Sequence, residues 1–108
     1  MTVKELCEAC SFDIVCLPDP DREVSGAYIG DLLSWVMGRA QEDNAWITIM
    51  SNINVIAVAS LSDVSCVILS EGVELEDELK MTAEAKGINV LKTALPSFEA
   101  ATQLIGKV

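Results

Sequence analysis

The chain has no histidine among its 108 residues. That removes Ser–His and Cys–His nucleophile pairs and the usual base at neutral pH. It also lacks a G-x-x-x-x-G-K-[ST] loop. Gly106-Lys107 has no glycine-rich stretch before it, and no G-x-G-x-x-G occurs. An ATP-cleaving site of known type therefore has no phosphate cradle. Basic residues are scarce: seven Lys plus Arg stand against seventeen Asp plus Glu, a net charge of −10. Such a chain repels phosphate backbones and anionic membrane surfaces, which excludes nucleic acid and membrane as partners. No apolar run approaches the roughly 18 residues that span a bilayer. Ile53–Leu61 comes nearest, flanked by Asn and Asp. The opening M-T-V-K-E-L-C-E-A-C carries acids where a signal peptide is apolar. The expectation is a cytoplasmic protein with free thiols.

Hydrophobic residues make up 51% of the chain and charged residues 22%, enough for a core and too apolar for disorder. The length suits one domain over residues 1–108. There is no linker, low-complexity segment or internal repeat. Thr2 and Glu5 have capping-box spacing at the start of a helix running to Cys10, with Val3, Leu6, Cys7 and Cys10 on its buried stripe. Phe12–Leu17 alternates as a strand, ended by Pro18-Asp19-Pro20-Asp21. Glu23–Ile29 reads as a second strand, bent or bulged at Ser25-Gly26. Asp31 suits the N-cap of a helix burying Leu32, Leu33, Val36, Met37 and Ala40. Trp35 falls off that stripe, which suggests either a partner surface or packing on a neighbouring element.

The organising block is A-W-I-T-I-M, then S-N-I-N-V-I-A-V-A-S-L-S-D, then V-S-C-V-I-L-S-E-G. It reads as strand Trp46–Met50, helix Ile53–Leu61 and strand Cys66–Leu69, a right-handed parallel β-α-β unit. The helix is apolar nearly all round, so it is sandwiched in the domain or buried in a dimer. Glu74–Lys86 is amphipathic, with acids in its first turn and Gly87 as terminator. Ile88–Leu91 is the next strand. Ser97 caps a last helix with Phe98, Ala101 and Ile105 inward. The alternation predicts a three-layer α/β fold: about five strands, largely parallel, helices on both faces.

Two strand tips then converge on one edge, where α/β sheets place ligands. The candidate binding residues are Ser51, Asn52 and Asn54 at one tip and Ser70, Glu71 and Gly72 at the other. They supply amides, hydroxyls and a close backbone approach, and no catalytic set. Asn52 equally suits a helix cap and Gly72 a turn, so a purely structural role stands open. Asp21 and Arg22 at the preceding turn are read as a charged wall for this site. The four cysteines, including Cys7-Glu8-Ala9-Cys10, invite a metal or electron-transfer reading. All four lie on apolar stripes or strands, and the C-x-x-C sits toward a helix C-terminus, where the dipole opposes a thiolate. Buried thiols are the stronger reading, and no cofactor is expected. Acidic pairs such as Glu42-Asp43 and Glu76-Asp77 read as solvated surface.

V-S-G-A-Y-I-G-D-L-L-S-W-V-M, W-I-T-I, N-I-x-V-I-A-V-A, C-V-I-L-S-E-G and I-N-V-L-K-T together resemble the DRTGG domain family, over about Val24 to Ile105. Within that family the chain resembles the small stand-alone kind found beside iron-only hydrogenase and histidine-kinase-like genes. The resemblance implies a non-catalytic regulatory or ligand-sensing module, homodimeric, binding a small anionic metabolite or nucleotide, or docking on redox enzymes. A related fold forms the N-terminal part of HPr kinase/phosphorylase, whose kinase activity resides in a P-loop domain that this chain lacks. Where the family often has T-G-G, this chain has Ser70-Glu71-Gly72. Where many members have Asp-Arg, it has Ser51-Asn52. An anionic ligand would meet Glu71 in place of an arginine. The alternative function is a cysteine-based metal or electron-transfer accessory.

Overall fold

A computed structural model describes Met1–Val108. Its elements run α1 (Val3–Cys10), β1 (Asp13–Cys16), β2 (Ala27–Ile29), α2 (Leu33–Arg39), β3 (Ala45–Thr48), α3 (Ile53–Ser62), β4 (Cys66–Leu69), α4 (Asp77–Ala85), β5 (Val90–Lys92) and α5 (Ser97–Leu104). The five strands form one sheet in the order β1-β5-β4-β3-β2. β2 to β5 are parallel, and β1 joins β5 antiparallel. The expected α/β class, strand number and parallel character are as observed.

The sequence dictates the layers. From β2 to β5 each strand lies beside its predecessor, so right-handed crossovers put α2, α3 and α4 on one face. α1 and α5 cover the other. β3 and β4 are buried at every position, as continuous apolar runs require when both faces are covered. Ala45, Ile47, Cys66, Ile68 and Leu91 meet α1 and α5 on one side. Trp46, Val67, Leu69 and Val90 meet the other three helices. Trp46 is fully buried, and its indole N–H donates to the Gly30 carbonyl at 2.9 Å, so the core's largest ring leaves no donor unpaired.

α1 has the anticipated capping box: Thr2 Oγ1 accepts from Glu5 N–H at 3.2 Å, and Glu5 Oε1 accepts from Thr2 N–H at 2.9 Å. α3 is capped by Asn52 and ends at Asp63 in the left-handed conformation. Its apolar circumference is absorbed by the sheet and by α2 and α4 on either flank, which leaves Ile53 and Leu61 exposed. The anticipated break at Ser25-Gly26 is present. Gly26 has φ +73, and a Cβ there would press on Asn44 Nδ2 at 3.1 Å.

Four side-chain expectations are corrected. Asp31 does not cap α2; the N-cap position is Leu32, with no side-chain bond. Val36 is buried and Leu33 half-buried, whereas Leu32 and Met37 are exposed, because α2 lies at the sheet margin with a single helical neighbour. In α5 the buried pair is Ala100 and Leu104, while Phe98 and Ile105 point outward. Ser97 is the first helical residue and not the cap.

Candidate functional site

The site is built where four parallel strands end and four helices begin. At the β2 and β3 tips, Asp31 Oδ1 accepts from the Thr48 hydroxyl at 2.8 Å and from Ile49 N–H at 3.0 Å. Thr48 Oγ1 in turn accepts from Met50 N–H at 3.1 Å. Asp31 therefore ties two tips together.

The β4 and β5 tips are closed more tightly. Glu71 and Gly72 both have positive φ, +61 and +74, and Val73 N–H donates to the Ser70 carbonyl at 3.2 Å. This is a type I′ turn, which requires left-handed backbone at both central residues. Every amide of the turn is committed: Ser70 to Thr48 O, Glu71 to Leu95 O at 2.8 Å and Gly72 to Thr93 O at 3.0 Å. The Ser70 and Ser97 hydroxyls share a 2.6 Å hydrogen bond. Glu71 Oε2 accepts from Ser97 N–H at 2.9 Å, so its carboxylate caps the first turn of α5. Ser70, Glu71 and Gly72 thus form a fastened corner with no amide facing outward to hold an anion.

Between these seals the edge is open. A groove of about 460 Å³ is lined by Ser51, Asn52, Ile53, Glu74, Glu76 and Leu79. Of the sequence candidates it brings together Ser51 and Asn52, and it includes none of Asn54, Ser70, Glu71 and Gly72. Asn52 Oδ1 accepts from Asn54 N–H at 2.9 Å and is engaged as the α3 cap. The side chains of Ser51 and Asn54 make no hydrogen bond within the chain. Glu74 pairs with Lys92 Nζ at 2.8 Å, and this bond raises the lysine pKa. Glu76 has no salt-bridge partner. From the sequence, Glu74 reads as ordinary dipole complementation in an acidic first turn and the Glu76-Asp77 pair as solvated surface, so neither Glu74 nor Glu76 is a candidate there.

Arg22 does not border this site. Residues preceding a parallel strand lie at the opposite edge, and Arg22 precedes β2. Its guanidinium binds Asp43 Oδ1 at 2.9 Å, Asp63 Oδ1 at 3.0 Å and the Asp63 carbonyl at 2.7 Å. Burial lowers its pKa, but the bonds to Asp43 and Asp63 outweigh this and raise it. Nearby, fully buried Asn89 donates to Asp19 O at 2.8 Å and Ser65 O at 3.0 Å and accepts from Asp19 N–H at 2.9 Å. This edge is a polar knot that joins loops.

All four cysteines are free and buried. Cys7 Sγ donates to Phe12 O at 2.9 Å and Cys16 Sγ to Ile88 O at 3.3 Å. Desolvation raises the pKa of Cys7, Cys10 and Cys16 and pushes Cys66 up to about 12. The thiolate that metal binding or disulfide exchange requires is thereby suppressed. No group of three or more Cys, Asp or Glu side chains is arranged to hold a metal ion. No helix is long and apolar enough to cross a membrane.

The DRTGG domain model matches residues 5–106. The chain belongs to the DRTGG domain family. Among solved structures, it is similar to the CBS and DRTGG domains of the regulatory region of Clostridium perfringens pyrophosphatase, complexed with the activator diadenosine tetraphosphate. The TM-score is 0.75 at 15% identity, over 96% of this chain and 46% of that one. The chain therefore spans about half the length of that neighbour, and at this identity the likeness concerns the fold. No curated protein matches. For a DRTGG domain, this chain has its candidate turn closed by its own Glu71 and its open groove one strand away, beside Ser51.

Proposed function

We propose that this DRTGG domain is a single-domain, non-catalytic regulatory module of the cytoplasm, working as a homodimer and sensing a nucleotide at the edge formed by Ser51, Asn52, Asn54, Ser70, Glu71 and Gly72. The observation that carries the reading is the gap between the β3 and β4 tips, lined by the unpaired Ser51 side chain and by Glu74 and Glu76. The ligand enters by its nucleoside end. Ribose hydroxyls and a base amine donate to Glu74 and Glu76, Ser51 and Asn54 bind the remaining edges, and the phosphates stay outside, away from both carboxylates. Ser70, Glu71 and Gly72 hold the neighbouring corner of the edge in place without lining the groove. A compact anion fits this groove less well, since it would meet two carboxylates. Family resemblance and the nucleotide-bound neighbour support regulation over catalysis, and so does the absence of histidine and of a phosphate loop. The partner is a redox enzyme of the hydrogenase type, as the resemblance implies.

Titration calorimetry with diadenosine tetraphosphate and with AMP tests the reading. The expected result is saturable binding that weakens at least about tenfold in a Ser51→Ala/Asn54→Ala variant, the effect of losing one to two hydrogen bonds. Absence of heat and of thermal stabilisation with either nucleotide contradicts it.

A further inference from the structure

Five exposed apolar side chains, Ile29, Leu32, Trp35, Phe98 and Ile105, belong to elements at one margin of the sheet. β2 is an edge strand of three residues, Ala27, Tyr28 and Ile29, with none of the charges or prolines that ordinarily blunt an edge. Its backbone polarity follows from the ladder to β3. Ala45 N–H donates to Gly26 O at 3.0 Å, and Gly30 N–H donates to Ile47 O at 3.2 Å. Even-numbered residues therefore turn toward β3, and the N–H and C=O of Ala27 and Ile29 point outward.

Both layers put apolar surface beside this edge. With a right-handed crossover and α2 antiparallel to its strands, the Met37 flank of α2 faces α3. Leu32, Trp35 and Arg39 take the other flank, over the β2 edge. Trp35 is 53% exposed and Leu32 60%, and Arg39 stacks on the Trp35 ring at 3.8 Å. On the other face α5 lies against β2 and β3. Its Gln103 side meets α1, where the Gln103 carbonyl accepts from Cys10 Sγ at 3.5 Å. The opposite side, carrying Phe98 and Ile105, turns toward the β2 edge beside Ile29.

We infer that this edge is the homodimer interface, formed by antiparallel pairing of β2 with β2 of a second copy about a twofold axis through Tyr28. The inference rests on the homodimer proposed above and assigns its surface. Three features select a second copy as occupant. The strand is self-complementary: with Tyr28 on the axis, Ala27 and Ile29 exchange hydrogen bonds with the partner copy in two symmetric pairs, placing a small side chain beside a large one. The axis also sets α2 antiparallel to its copy, which lays the Leu32, Trp35 and Arg39 flank of one against that of the other. In a chain of net charge −10, α2 carries a single charge, the base Arg39, while Glu74, Glu76, Asp77, Glu78 and Glu84 lie around α4.

Light scattering and sedimentation test the assignment. The wild-type chain is expected at twice 11.6 kDa. Ile29→Lys and Phe98→Glu, both at exposed positions, are expected to weaken dimerisation at least about 30-fold, as at interface hot spots, with unchanged circular dichroism. Leu61→Glu and Met81→Glu, at exposed positions on α3 and α4, are expected to leave the dimer intact. Amide exchange at Ala27 and Ile29 is expected to be slow in the dimer and fast in Ile29→Lys. A wild-type monomer at 100-micromolar-scale concentration overturns the homodimer itself. A dimer that survives Ile29→Lys and Phe98→Glu but is lost in Leu61→Glu overturns the β2 surface alone and favours α3.

Discussion

The two edges of the parallel sheet carry similar residue types and use them oppositely. At the edge where strands begin, Arg22, Asp43, Asp63, Asn89 and Ser65 are spent on one another and on loop carbonyls. Where strands end, Asp31 and Glu71 close two outer pairs of tips, and the Ser51 and Glu76 side chains in the groove between them are left unbonded. Polar side chains held in place by the chain stabilise the fold. Those left free at a cleft are available to a ligand. The difference lies not in composition but in whether a second chain segment passes close enough to bond.

The comparison breaks most readily at Asn89. Asn89→Ala leaves the buried Ser65 carbonyl without its partner and unties the Asp19 backbone from the sheet, and is expected to cost ~3 kcal/mol in urea unfolding. Ser51→Ala, at the open edge, is expected to change stability by less than ~0.5 kcal/mol. Equal losses would erase the distinction between the edges.

Alkaline unfolding gives the next largest effect. Cys66 starts β4 at the knotted edge with its pKa raised from 9.0 to about 12. The unfolded chain releases this proton near pH 9 and the folded chain does not. The contribution is therefore complete below pH 9 and is lost as pH rises toward 12, at about 1.4 kcal/mol per pH unit for one thiol. Cys66→Ala is expected to flatten that slope in denaturation curves recorded from pH 8 to 11. An unchanged slope would mean the thiol ionises freely in the native state.

The smallest effect sharpens the contrast within the open edge. Glu71→Ala loses the α5 cap and keeps the left-handed backbone, for a cost of ~1 kcal/mol. Glu71→Gly loses the cap but relieves the backbone, so the two effects offset to within ~0.5 kcal/mol. If glycine proves no better than alanine in thermal unfolding, positive φ at Glu71 carries no strain and the turn is not held as described.

Much of the fold was legible because it rests on periodicity. Two uninterrupted apolar strands around an apolar helix admit few arrangements other than a covered parallel unit, and the Thr2–Glu5 box was readable from spacing alone. α5 was misread because Phe98, Ala101 and Ile105 form a stripe as regular as the buried one. Periodicity identifies an apolar face but not whether anything covers it. The position of Arg22 was readable in principle, since a residue before a parallel strand lies at the opposite edge from one after it. The closure of Ser70-Glu71-Gly72 was not readable, because it depends on residues 93–97 returning alongside. Asp31 misled for the same reason: a good capping residue found better donors on Thr48 and Ile49.

The gap between the β3 and β4 tips is the ligand site proposed for this DRTGG domain. Amide chemical shifts of the labelled protein, followed during titration with AMP and diadenosine tetraphosphate, test it most directly. The account predicts saturable shifts confined to Ser51–Val55 and Glu74–Leu79, with Asp19, Arg22 and Asn89 unmoved. Shifts centred on the Arg22 and Asn89 edge, or none at any residue, would contradict it.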